Sequence, residues 1–282
     1  MTNSIIHITS LKEWPCQGGI LVRTDGLIGD NIVASRAFQY ILKKHPGKPV
    51  TIYNTYNHTP SRVKLLADLF QELIASRFIF SIVHKGRNHG PLNAEEEALF
   101  RDNYEAWYDC GPFERQFHNI RKSAPMLGSN LLKAWEDRKH DSYVALFRWS
   151  GFHNHYQLRN RPWNEWREIE RLLIRLGKRP LLFGWDDPMP FEQGIIDLRR
   201  KLSVYETLLH IARCNLLIST VTFAPLFCQH YIPCLVLSDP SDITNLTTRW
   251  KVLSTYELFD VSSHDLSQLC SRIEELCSGT VS

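Results

Sequence analysis

Gly19-Ile20-Leu21-Val22-Arg23-Thr24-Asp25-Gly26-Leu27-Ile28-Gly29-Asp30-Asn31 reads as a buried strand, a glycine-bearing turn and the start of a helix. Ile20-Leu21-Val22 is an uninterrupted apolar run, as a strand covered on both faces requires. Beyond the turn, Val33, Ala37, Phe38, Ile41 and Leu42 recur at three- and four-residue spacing. That period predicts a helix over about 30–44 with one buried face, ended by Pro46-Gly47. Val50-Thr51-Ile52-Tyr53 is the next strand, residues 61–75 a second helix, and Phe78-Ile79-Phe80-Ser81-Ile82-Val83 a third strand. A βαβαβ start implies a parallel sheet with helices on its faces.

Residues 84–120 are less regular, with Gly86, Gly90, Pro91, Gly111 and Pro112 among scattered aromatics; a short acidic helix is predicted over 93–104 and loops elsewhere. A second βα series begins at Tyr143-Val144-Ala145-Leu146-Phe147. A helix follows over 163–176, with Trp166, Ile169, Leu172, Leu173 and Leu176 facing inward. Next come a strand at Pro180-Leu181-Leu182-Phe183 and a helix over 203–212 carrying the capping box Ser203/Glu206. Leu216-Leu217-Ile218, a short helix over 222–230, Cys234-Leu235-Val236-Leu237 and a final amphipathic helix over 265–277 complete the chain. The fold class expected is α/β: two Rossmann-like domains with parallel sheets facing a central cleft. The polar run Arg138-Lys139-His140-Asp141 divides them into residues 1–140 and 141–282, with the last helix able to pack back on the first domain. Open parallel sheets bind ligands beyond the carboxyl ends of their strands, so the default is a site there.

Composition narrows the function. The chain has 282 residues, 43% of them hydrophobic and 22% charged, enough for two real cores. A net charge of +3 gives no bulk-charge argument for a nucleic-acid partner. Seven cysteines, an odd number without a CxxC pair, fit buried reduced thiols in a cytoplasmic protein. Residues 1–10 do not read as a signal peptide. No run approaches a transmembrane span, which leaves only peripheral membrane contact. Neither His84/His89 nor His153/His155 has metal-binding spacing, so no metal and no cofactor are expected. The GxGxxG fingerprint and the GxSxG elbow are both missing.

Four segments carry chemistry. In the first, Gly29 lets a ligand approach the backbone, and Asp30 falls at a helix N-terminus, whose dipole favours an ionised carboxylate able to accept a hydroxyl proton. Asp in that place equally serves as an N-cap. In the second, Arg148 ends a strand, and Arg159 and Arg161 precede a helix; such arginines can clamp a diphosphate, or be solvated loop charge. Arg167, Arg171 and Arg175 read as a solvated helix face. In the third, Phe183-Gly184-Trp185-Asp186-Asp187 follows a strand, placed for a base or ribose, with Asp186 or Asp187 on the ribose hydroxyls, or for a tight acidic turn. In the fourth, Ser219, Thr220 and Thr222 join a strand to a short helix, suited to a phosphate or ribose or to simple capping.

These segments, in this order, resemble glycosyltransferase family 9, the heptosyltransferase-like enzymes of GT-B fold. The resemblance rests on Gly19 through Gly29-Asp30 with Pro46 and Val50-Thr51-Ile52. It continues in Arg161-Pro162-Trp163, which is similar to a Lys-x-Trp element, then in Asp197-Leu198 with Leu202-Ser203 and 212–218, and in Pro233. It covers most of residues 19–240, the middle excepted. It implies that Asp30 is a catalytic base and Arg161 a phosphate contact. The implied enzyme is an inverting, metal-independent glycosyltransferase that moves a sugar from a nucleoside-diphosphate sugar to a glycan acceptor of lipopolysaccharide or capsule type. Ranked below are transfer to hydroxymethylated bases of a nucleic acid and a non-catalytic nucleotide- or glycan-binding role. The family's Asp-(Ser/Thr)-Gly…His turn is replaced by Thr220, Val221, Thr222 and Pro225, so the donor side departs from the family pattern.

Overall fold

The apolar runs become the inner strands of two parallel sheets. The computed structural model describes residues 4–8, 10–14, 18–24, 37, 40–41, 43–56, 80–87, 92–110, 133, 136–137, 142–149, 163–184, 187–228, 231–238 and 256–279. The chain divides into two compact units, Met1–Ser129 and Asn130–Ser282. The division therefore precedes the helical residues 133, 136 and 137, whereas the polar run at 138–141 suggests a later boundary.

The first unit holds β1 (Ser4–His7), β2 (Ile20–Thr24), β3 (Val50–Tyr56), β4 (Phe80–Arg87) and β5 (Ala106–Asp109) in the order β1-β4-β3-β2-β5, every pair parallel. All five residues of β2 are buried, which explains its unbroken apolar start. One face packs Leu21 and Tyr53 against Phe100 and Tyr104 of helix α1 (Ala94–Asn103) and the residue after it, with Trp14 and Trp107 at the margin. An Asn93/Glu96 capping box starts α1. Of the helix expected over 30–44, residues 37, 40, 41, 43 and 44 are described and are helical; the helix expected over 61–75 lies outside the described residues.

The second unit holds β6 (Tyr143–Phe147), β7 (Arg179–Phe183), β8 (Ile196–Asp197), β9 (Leu216–Thr220), β10 (Cys234–Ser238) and β11 (Tyr256–Asp260) in the order β11-β10-β9-β6-β7-β8, again all parallel. Its helices are α2 (Trp163–Arg175), α3 (Val204–Ala212), α4 (Phe223–Cys228) and α5 (Leu266–Ser278). Val144, Leu146, Leu182, Ile218, Leu235 and Leu237 point to one face and bury Trp166, Ile169 and Leu173 of α2 and Leu269 and Ile273 of α5. The final helix thus packs on its own unit's core. Ser203 and Glu206 form the expected capping box on α3. Leu176, expected inward, is 38% exposed, because α2 ends at Arg175 and Gly177 turns the chain at φ +68.

After β2 in the first sheet and after β6 in the second, strands are added first on one side and then on the other, and the apolar pattern identifies both of these strands. In the first unit β3 and β4 lie on one side of β2 and β5 on the other; in the second, β7 and β8 lie on one side of β6 and β9 to β11 on the other. Ligands favour the carboxyl ends of strands at such points. In the chain, Asp30 comes six residues after the end of β2, and Arg148 directly follows β6.

Gly19 holds the entry to β2. It sits at φ +73, and a Cβ there would lie 2.5 Å from Pro49 O, which accepts the Ile20 N–H at 2.9 Å. Gly18 has φ +76 with open space around it. Gly18→Ala is therefore expected to cost about 1 kcal/mol of strain alone. Gly19→Ala adds backbone displacement and is expected to cost roughly 2–3 kcal/mol or more. Denaturant unfolding of the two variants checks this; equal losses contradict it.

Candidate functional site

The carboxyl end of the first sheet is polar and tightly paired. Arg23 and Asp109 are register partners on β2 and β5. Arg23 Nη1 donates to both carboxylate oxygens, at 2.9 and 3.2 Å, with side-chain exposures of 4% and 13%. Beside them Asn54 Nδ2 donates to Thr24 Oγ1 at 3.1 Å, both residues fully buried. Four polar residues thus fix the point at which the chain leaves β2. Gly29 and Asp30 themselves lie outside the described residues, as do Arg161, Trp185 and Asp186.

Arg148, placed after β6, reads in the sequence as a diphosphate clamp. Its side chain is wholly buried, and its guanidinium makes four hydrogen bonds to residues of the same unit. Nε donates to Asp187 Oδ2 at 2.9 Å. Nη1 donates to Glu170 Oε1 at 2.6 Å and to Pro190 O at 2.8 Å. Nη2 donates to Met189 O at 3.1 Å and lies 2.9 Å from Asp187 Oδ2. Asp187 Oδ1 also accepts from Met189 N, and Glu170 Oε2 from Glu192 N, each at 2.9 Å. Arg199 joins from the other side, donating to Asp187 O at 3.0 Å, to Met189 O at 2.6 Å and to Asp197. Arg148 ties the 187–192 segment to β6 and α2.

Sequence reading places Asp187 only as an alternative to Asp186 for ribose hydroxyls, not as the partner of Arg148, and misses Glu170, although a signal exists for it. It follows Trp166 by four residues and precedes Leu173 by three, so a carboxylate falls on the apolar face of α2 and requires a buried partner. Arg167 and Arg171 pair with Glu192 and remain 46% and 40% exposed, the solvated face expected of them.

The hydroxyls after β9 divide. Ser219 and Thr220 are fully buried. Ser219 Oγ donates to Thr220 O at 2.5 Å and lies 3.1 Å from Thr222 Oγ1; Thr220 Oγ1 donates weakly to Phe147 O at 3.5 Å. Thr222 is half-buried, and its Oγ1 accepts from Ala224 N at 3.3 Å at the head of α4. Ser219 and Thr220 build the turn, and Thr222 is the hydroxyl of the three with surface to offer. At the end of β10, Ser238 Oγ is buried with no hydrogen-bond partner among the described residues. The rings of Phe147, Phe183 and Phe223 pack beneath these turns, with centroids 5.7 and 5.6 Å apart. Burial pushes the Cys228 and Cys234 thiols upward, so both stay protonated. Among the described residues no group of three or more His, Cys, Asp or Glu side chains is placed to hold a metal, and no helix is long and apolar enough to cross a membrane.

Burial raises the Glu170 carboxyl to about 7, against the opposing pull of Arg148. The folded value lies above the unfolded value near 4.5, so the native state binds this proton more tightly. Its contribution to stability is then full at low pH and lost as pH rises toward 8, by on the order of 3 kcal/mol. Glu170→Gln mimics the protonated form and removes that slope. Urea unfolding at pH 5, 6.5 and 8 should move the stability difference steadily in the variant's favour; parallel profiles contradict the assignment.

Scans of family models and of curated protein sequences find no match to this chain. Solved structures do match. A glycosyl transferase family 9 protein from Veillonella parvula is 14% identical, with 93% of this chain and 97% of that chain covered at a TM-score of 0.58. The E. coli ADP-heptose lps heptosyltransferase II is 12% identical over 94% and 100%, at 0.56. The E. coli heptosyltransferase WaaC, solved with ADP-2-deoxy-2-fluoro heptose, is 14% identical over 93% and 99%, at 0.55. The chain has the fold of these proteins, the two-unit α/β GT-B fold.

Proposed function

We propose that this chain is a glycosyltransferase that takes a sugar from a nucleoside-diphosphate sugar and places it on a hydroxyl of a glycan acceptor, of lipopolysaccharide or capsule type. The observation that carries the reading is the extent of the match: both parallel units align over nearly the full length of heptosyltransferases, with almost nothing left over in either chain. Each sheet also reverses beside a strand whose following segment reads as chemical in the sequence.

In this reading Asp30 is the base. Its carboxylate takes the proton of the acceptor hydroxyl as that oxygen attacks the anomeric carbon. The bond from the anomeric carbon to the diphosphate oxygen breaks, its electron pair leaves with the nucleoside diphosphate, and configuration inverts. The reading needs Asp30 ionised, as the helix N-terminus expected from the sequence would favour. Leaving-group charge falls to Arg161 and to the backbone N–H groups beside Thr222, with no metal required. Gly29 permits close approach, and Trp185 and Asp186 serve the base and ribose. Arg148 is assigned a holding role, while Ser219 and Thr220 shape the turn that presents Thr222.

The test is transfer from a panel of nucleoside-diphosphate sugars to such acceptors in the presence of EDTA. Asp30→Asn should lower kcat about 10²–10⁴-fold, the range of a lost general base, and leave nucleoside-diphosphate affinity unchanged. Undiminished kcat in the variant would exclude Asp30 as the base. Activity that disappears on chelation would exclude the metal-independent route.

A further inference from the structure

The buried ions around Arg148 leave one exposed group in an unusual position. Two guanidinium groups and the carboxylates of Glu170 and Asp187 are brought together in a protein interior, an arrangement that apolar packing could replace at no loss of stability. What apolar packing could not do is fix the backbone of one short segment residue by residue. Asp187, Met189 and Pro190 are each held by Arg148 or Arg199, and Glu192 is held through its N–H by Glu170 and through its carboxylate by Arg167 and Arg171. Between these anchors stands Phe191, 41% exposed.

Single exposed apolar side chains are common and usually mean nothing. Phe191 differs in being preorganised. Its neighbours on both sides are clamped, and the Arg199 guanidinium lies 5.1 Å from its ring centroid. Its place is also specific. The pairing of β7 with β8 continues past the strands through Leu198 N to Leu182 O at 2.9 Å and Arg200 N to Gly184 O at 3.2 Å, so Arg199 stands at the carboxyl end of β7. Arg200 there has φ 58, the one non-glycine residue with positive φ among those described. A flat aromatic ring between anchored neighbours, with a cation over one face, suits a flat π-system on the other face at small entropic cost.

We propose that Phe191 is a stacking platform for the nucleobase of the donor, with Arg148 and Glu170 as positioning residues that hold it in place. This rests on the nucleotide-sugar reading above and deepens it: base contact then comes from the edge of the second sheet, away from the altered turn at Thr220–Pro225. Because stacking is tolerant of base identity, discrimination between nucleobases at Phe191 should be modest.

The experiment compares a ligand with a base to one without. Calorimetric titration of the intact chain, Phe191→Ala and Phe191→Trp is done with ADP, UDP, GDP and inorganic pyrophosphate. Phe191→Ala should weaken the preferred nucleoside diphosphate about tenfold, the range of one lost stacking contact, and leave pyrophosphate within twofold. Phe191→Trp should restore the nucleotide affinity, and melting temperatures of all three proteins should agree closely. Equal weakening of pyrophosphate and nucleotide would make Phe191 merely structural and overturn the proposal. Unchanged nucleotide affinity in Phe191→Ala overturns it as well, and leaves the transferase reading standing. Failure of the intact chain to bind either ligand overturns both.

Discussion

Arg148 is the constraint on which the second unit turns. A guanidinium placed at the end of β6 with no exposure must find a partner for every donor or lose several kcal/mol of solvation. It finds them in Glu170, Asp187 and two backbone carbonyls, and so draws the β7–β8 connection onto α2. Truncating Arg148 would strip both carboxylates of their shared buried partner. Asp187 also meets Arg199, which carries the constraint on to Asp197 of β8. The first sheet uses a smaller device of the same kind, the Arg23–Asp109 pair, to set where β2 ends. In both units charge is spent at a strand end beside the point where the sheet reverses.

Which strands are legible in the sequence follows from their place in the sheets. β2, β3, β4, β6, β7, β9 and β10 all have a strand on each side and show as apolar runs, as inner strands of parallel sheets do. The four that the pattern passes over, β1, β5, β8 and β11, are the four edges. Edge strands are short and carry polar residues such as Asp109 and Glu257, which hides their periodicity and also discourages pairing with other chains. Capping signals were local and therefore readable: Ser203 with Glu206 needs only a three-residue window.

The candidate site is legible to a lesser degree, for the same reason. A position after a strand is visible in the sequence; a partner is not. The carboxylates that claim Arg148 lie 22 and 39 residues further along, so the residue reads as a free clamp until the tertiary structure pairs it. Ser219 and Thr220 read equally as ligand contacts or as turn residues, and both are buried among the hydrogen bonds of the turn. Phe191 gave no signal at all, because an exposed aromatic in a loop becomes informative only when the groups that fix its neighbours are known.

The central claim is that this chain binds a nucleoside-diphosphate sugar without a metal. Titration calorimetry of the intact protein in EDTA, with each nucleoside diphosphate competed by its sugar nucleotide, addresses it most directly. The account predicts saturable binding of at least one nucleoside diphosphate, displaced by the corresponding sugar nucleotide, with a rise in melting temperature that follows ligand concentration. No binding to any of them, or binding that appears only when a divalent cation is restored, would contradict it.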